Sequence, residues 1–434
     1  MRVGARAQAA IEILTDMEAR RRPAADAVKD WMLTHRFAGS KDRAEIGDIV
    51  FGALRWKASS AFRFGADTPR AAVWGAQRFG FGVPAASIVA ACAEPHAPAP
   101  PTEAERAALF GETPESRLEG APAWVAGDYP EWLDAAMTRA FGEARSEEGA
   151  HLAAPAPLDL RVNTLKAARE KIIEALADSP RLLEPPQPTR FAPDGVRIPW
   201  AQGRTFPWAT EQAFVKGWFE VQDEGSQIAA MLAGAVPGTQ VADVCAGGGG
   251  KTLALAAAMR NKGQIYAFDV DGRRLAPIHE RLERAGVRNV QVRAPGRTRD
   301  VLEDLRDRMD LVLVDAPCSG SGTWRRAPDS KWRLRPNALA TRLEEQQQAL
   351  DLAAPLVKPG GRLAYVTCSV LPEENGDAVE AFLRRDSRFV RAPLAFLDAT
   401  LAGACGVPVG ASQIQMTPKR TGTDGFFAAA LMRA

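Results

Sequence analysis

Residues 241–259 read VADVCAGGGGKTLALAAAM. An apolar run, a turn of four glycines (Gly247 to Gly250) and a helical run succeed one another in that order. Glycine lets the backbone take positive φ and approach a ligand closely, and the helix after the turn points its N-terminus at that ligand. Outward from this unit the pattern repeats. Apolar, strand-like runs occur at 241–244, 264–270, 289–293, 310–315 and 361–367, and helical stretches at 223–234, 251–260, 272–285 and 338–357. Such alternation predicts an α/β domain, a mostly parallel Rossmann-like sheet with helices on both faces. Right-handed crossovers then place the strand ends on one edge. The last run, DGFFAAALMRA, adds a closing strand.

Three ligands compete for the glycine turn. A Walker A loop needs glycine where Cys245 stands, so the suggestive GKT does not complete that motif. A dinucleotide fingerprint is loosely met by any glycine run. S-adenosylmethionine is the third, its carboxylate and amino groups suiting such a turn. Asp269, ending the next strand, suits a ribose diol, and Asp271 suits a helix cap.

Two cysteines carry the chemistry. Cys318 comes after the strand in DLVLVDAPCSGSG (310–322), and Cys368 after the one in GGRLAYVTCSV (360–370). Side chains just past the carboxyl ends of parallel strands line the ligand crevice. Carbon 5 of a cytosine is a poor nucleophile. A thiolate that adds to carbon 6 makes it an enamine-like one, able to take a methyl group. A base must then remove the carbon-5 proton so that the thiol can leave. Asp315 is placed to hold the N3 and N4 edge of the base. Cys92 and Cys405 read as packing residues, and Cys245 as packing with its backbone at the ligand.

At 434 residues the chain is too long for one core. The expected domains are a helical one with a Pro/Ala-rich linker at 1–122, a small α+β module at 123–218, and the α/β domain at 219–434. Five cysteines without a CxxC pair and only four histidines point to free thiols in a reducing cytoplasm and to no metal site. No apolar run reaches the length of a membrane span. The net charge is only +2, so any nucleic-acid signal must be local. Arg20, Arg21, Arg22, Lys41, Arg43, Arg55, Lys57 and Arg63 form such a cluster, and Arg325, Arg326, Lys331, Trp332 and Arg333 another just after Cys318. Arginine beside an aromatic can hold a splayed nucleotide, and the target base has to be unstacked to reach Cys368.

With VCAGGGGKT, FDVDGRRL, DLVLVDAPCSGSGTWRRAPDSKWR, YVTCSVLPEEN and TDGFF, the chain resembles the RNA 5-methylcytosine methyltransferases of the Fmu/Sun type. LDLRVNTL and GWFEVQDEGSQ extend the likeness upstream. DRAEIGDIVFGALRW is similar to the NusB-like RNA-binding domain of the bacterial 16S rRNA members. The resemblance implies that Cys368 is the nucleophile and that Cys318 assists proton removal or product release. It implies S-adenosylmethionine as cofactor, held by Cys245, Ala246, Gly247, Gly248, Gly249, Gly250 and Lys251, with Asp269 on the ribose. Asp315 would stand near methyl donor and target base, and Lys251 at the cofactor carboxylate or the base. Gly247 and Gly248 replace an alanine and a proline usual in the family. Pro295 stands where the family has an acid that contacts the adenine, leaving that contact to the backbone near Ala294 or Arg297.

The expected function is cytosine-C5 methylation of RNA, 16S rRNA foremost, by a cytoplasmic monomer. The alternatives are the same chemistry on tRNA and an RNA-binding assembly factor of weakened activity.

Overall fold

In the computed structural model, which describes residues 1–296 and 300–434, the chain forms two compact units. One comprises Met1–Ala154 with Trp324–Leu334, the other Pro155–Thr323 with Arg335–Ala434.

The first unit is helical. Helices Val3–Arg20, Ala24–Thr34, Ser40–Arg55, Lys57–Phe64 and Pro69–Gly75 come in that order. Ala10, Leu14 and Met17 recur at helical spacing and are buried against Ile46, Val50, Leu54 and Trp74. Pro23, which separates the first two helices in the sequence, is the N-cap of the second. The expected boundary at 122 falls inside this unit. Helices Ala123–Ala126, Asp134–Phe141 and Arg145–Ala153 belong to it as well. Buried Asp128 ties them in by accepting from Ser59 N (2.9 Å) and Ser59 Oγ (2.7 Å).

The second unit begins with a small antiparallel sheet of strands β1 (Leu158–Val162), β2 (Gln187–Pro188), β3 (Gly195–Ile198) and β4 (Phe219–Val221), ordered β2-β3-β1-β4. Ile172 and Leu176 of helix Arg169–Ala177 pack with Leu160, Val196 and Phe219 in its core. Asp159 sits buried on β1 because Arg197 clamps both its oxygens at 2.7 Å. Asn163 donates to Gly217 O and Ala285 O, both 2.8 Å, tying the small sheet to the end of helix Ile278–Ala285.

The large sheet holds β5 (Gln240–Asp243), β6 (Gln264–Phe268), β7 (Val290–Arg293), β8 (Met309–Asp315), β9 (Val357–Thr367), β10 (Phe389–Arg391), β11 (Gln413–Met416) and β12 (Phe426–Arg433). Its order is β10-β12-β9-β8-β5-β6-β7, with β11 on β12. The five strands from β9 to β7 are parallel; β12 pairs antiparallel with β9, β10 and β11. Helices cover both faces, so β8 is apolar on both sides. Leu311 and Leu313 pack with Ile228 and Leu255, while Val312 and Val314 pack with Leu350 and Phe382. Strand order reverses between β5 and β8, which makes the crevice beyond their carboxyl ends the ligand position. No helix among the described residues is long and apolar enough to cross a membrane.

Candidate active site

Four strands deliver the site. After β5 comes the glycine turn, after β6 Asp269, after β8 the loop with Cys318, and after β9 Cys368. Gly247 and Gly249 take φ of +48° and +82°. A Cβ on Gly249 would lie 2.5 Å from Ile278 Cγ1, so helix packing as well as backbone conformation demands glycine there. Gly247 N donates to Asp269 Oδ2 (2.9 Å), and Asp271 N to Asp269 Oδ1 (2.9 Å). Two amides thus aim a buried carboxylate while each oxygen keeps a lone pair. Asp271 caps the next helix through Arg273 N, as expected.

These elements wall a cavity of about 730 Å³ that brings together Cys245, Asp269, Asp315, Cys318 and Cys368. Its volume suits a nucleoside-sized ligand. Val244, Val270, Ala349 and Leu352 give it apolar wall, and Asp269 supplies acceptors for a diol, so the residues fit S-adenosylmethionine. Neither Ala294 nor Pro295 is among the described residues lining it, and Arg297 lies outside the described residues. Val270, 74% exposed, presents an apolar surface in that cavity, in place of the backbone near Ala294 expected from the sequence.

Cys318 Sγ and Cys368 Sγ stand 3.3 Å apart. The hydrogen bond with Cys368, together with burial, pushes the Cys318 thiol well above its usual range. The Cys318 thiol therefore holds its proton strongly, in a hydrogen bond with Cys368 in which either sulfur can donate. Burial likewise holds Cys245 as a thiol. Backbone contacts fix the two loops: Gly322 N donates to Cys368 O (2.9 Å) and Gly425 N to Gly322 O (2.8 Å). A Cβ on Gly322 would meet Gly425 O at 1.9 Å, which explains glycine in both GSGT and TDGFF. Lys251, 7% exposed, points to Asp315, with Nζ 2.7 Å from Oδ2.

The proposed RNA contacts divide differently. Residues 324–334 belong to the helical unit rather than to the unit that holds the cavity. Lys331 is 1% exposed; its ammonium donates to Asp128 O (2.5 Å) and Arg55 O (2.7 Å). Trp332 donates to Leu54 O (2.6 Å) and packs on the helical core. Arg325 is buried, and its carbonyl accepts from Arg55 Nη1 (2.6 Å). Only Arg326 and Arg333 of the five are exposed, and Arg333 pairs with Asp329 (2.9 Å). Several cations of the N-terminal cluster are likewise committed. Arg22 pairs with Asp16 and Asp30, Lys57 with Glu18, and Arg63 with Ser116 O. A cation that fastens a helix reads in sequence like one that faces solvent.

Sequence reasoning passed over Asp243 and Glu374. Asp243 ends β5 fully buried, accepts from Thr252 Oγ1 (2.7 Å), and burial pushes its carboxyl up to about 7. Its one signal was an acid closing an apolar strand. Glu374, in the PEEN stretch, is also fully buried.

Fold and site together define an S-adenosylmethionine-dependent methyltransferase. A family model described as 16S rRNA methyltransferase RsmB/F matches residues 230–432, and the RsmF/B-like, ferredoxin-like domain matches residues 129–202. A Synechocystis sp. relative named probable ribosomal RNA small subunit methyltransferase B is 34% identical over 307 residues, covering 70% of this chain and 67% of its own. The ribosomal RNA small subunit methyltransferase B of Pseudomonas syringae pv. tomato is 34% identical over 70% of this chain and 66% of its own length. This chain thus spans about two thirds of the length of these relatives. A methyltransferase homolog protein from Pyrococcus horikoshii superposes with a TM-score of 0.57 at 28% identity, over 72% of this chain and 98% of that one. The chain belongs to the RsmB/F family of 16S rRNA methyltransferases.

Proposed function

We propose that the protein methylates carbon 5 of a cytosine in 16S rRNA through a bond from Cys368 to carbon 6. The observation that carries this reading is the 3.3 Å separation of Cys318 Sγ and Cys368 Sγ in one cavity with Asp269 and Asp315. S-adenosylmethionine supplies the electrophilic methyl group. Cys368, as thiolate, adds to carbon 6, and the ring's electron pair moves to carbon 5. Asp315, aligned by Lys251, accepts from the N4 amino group and shares a proton with N3. Once carbon 5 is methylated, Cys318 gives up its proton to solvent, and the thiolate so formed takes the carbon-5 proton. The carbon 5–carbon 6 double bond returns and the sulfur leaves carbon 6. Exposed Arg326 and Arg333 contribute phosphate contacts.

The test is incubation with labelled S-adenosylmethionine and deproteinised small-subunit rRNA, with tRNA in parallel, and then bisulfite mapping. A single new 5-methylcytosine in the rRNA is expected. Label confined to tRNA would overturn the substrate assignment, and label on an atom other than carbon 5 the chemistry.

A further inference from the structure

Glu374 belongs to a short turn, Pro372–Glu374, outside both cysteine loops, and none of its surface reaches solvent. Its carboxylate nevertheless has four donors. Oε1 accepts from Ser319 N (2.7 Å) and Gln346 Nε2 (3.0 Å), and Oε2 from Ser319 Oγ and Ser369 Oγ. Ser319 is the residue directly after Cys318, and Ser369 the one directly after Cys368. Gln346 also donates to Pro317 O (3.0 Å), on the other side of Cys318. Tyr365, at the end of β9, fixes the turn itself by donating to Glu374 O (2.7 Å).

A buried carboxylate is costly unless fully paired, and charge-assisted hydrogen bonds are short and directional. An apolar residue would fill the space; it would not tie the neighbours of two cysteines to one point. We propose that Glu374 is a positioning residue that sets the distance between Cys318 and Cys368 by clamping the residue after each. The role rests on the two-thiol mechanism proposed above. Glu374 also faces Cys318 as a negative charge, alongside Cys368 and the Tyr365 hydroxyl, and helps keep the Cys318 proton in place.

Glu374→Gln keeps the shape and turns one acceptor into a donor that meets donors. It should lower kcat for rRNA methylation about 100-fold while KM for RNA and cofactor stays unchanged, the effect expected when reacting groups are misplaced by about 1 Å. With the charge gone, the alkaline rise in rate should move to lower pH. A second readout needs no RNA. Phenylarsine oxide condenses with two adjacent thiols, forming two arsenic–sulfur bonds and releasing water. The wild-type protein should bind it through Cys318 and Cys368, with Cys368→Ser as the blank. Glu374→Gln should bind it at least about 10-fold more weakly.

A folded Glu374→Gln protein with wild-type kcat, pH profile and arsenical affinity would overturn the proposal. Should that variant fail to fold, Ser369→Ala removes one tether, and its smaller loss in kcat and arsenical affinity decides in the same way. A wild-type protein inactive on rRNA yet sensitive to Glu374 in arsenical binding would sink the functional reading alone.

Discussion

Lys251 Nζ lies 2.7 Å from Asp315 Oδ2, joining the helix of the glycine turn to the end of the strand that carries Cys318. The pair makes the cofactor loop and the thiol loop one electrostatic unit. Lys251→Gln would leave Asp315 without its cation and free to turn. We expect a loss of about 100-fold in single-turnover methyl transfer, the size seen when one preorganised partner of a reacting group is removed. Cofactor affinity, read by calorimetry, should change far less, because the ammonium is engaged with Asp315.

Removing each thiol should give a distinct signature. Cys368→Ala should abolish methyl transfer, since the sulfur proposed to bond carbon 6 is gone. Cys318→Ala should still allow attack and transfer but not release, so a covalent protein–RNA adduct accumulates on a denaturing gel. Normal turnover in that variant without an adduct would remove Cys318 from the mechanism.

Asp269 is held by Gly247 N and Asp271 N and lines the cavity. Asp269→Asn replaces one charged acceptor with a donor that faces an amide. S-adenosylmethionine affinity should fall by about 1.5–3 kcal/mol, the worth of a hydrogen bond to a charged group. Titration calorimetry without RNA reads this directly.

Lys331 tests the division between binding and scaffold. If it served RNA, Lys331→Ala would weaken binding and spare stability. With its buried amino group on the carbonyls of Arg55 and Asp128, the opposite is expected. Denaturant unfolding should show a loss of roughly 3–5 kcal/mol, as for breaking other buried ionic networks.

Asp243 should make stability depend on pH. Burial raises its folded carboxyl from 3.8 to about 7, so its contribution is full below pH 4 and is lost as pH rises through 7. At roughly 1.4 kcal/mol per pH unit the ceiling is ~4 kcal/mol. Unfolding free energies at pH 5 and pH 8 should differ less in Asp243→Asn than in the wild type.

The strand–helix alternation from residue 220 onward was legible because period and composition are local. A strand buried on both faces must be apolar throughout, as β8 is, and consecutive βα units must bring their carboxyl ends to one edge. Expected runs at 241–244, 310–315 and 361–367 fall on β5, β8 and β9. For the same reason Cys318, Cys368, Asp315 and Asp269 could be assigned to one crevice before their distances were known. The short antiparallel strands β10 and β11 left no such trace, since three or four residues carry too little pattern.

By itself, then, the sequence determined the parallel sheet, the glycine turn and the identity of the residues at its strand ends. Tertiary structure decided where each charge goes. Lys251 turns to Asp315, Lys331 is spent inside the helical unit, Asp128 carries that unit's border past residue 122, and Glu374 is drawn between the thiols. The physical reason is that a buried charge is stabilised by partners tens or hundreds of residues away, and no local pattern of side chains encodes which ones will be near.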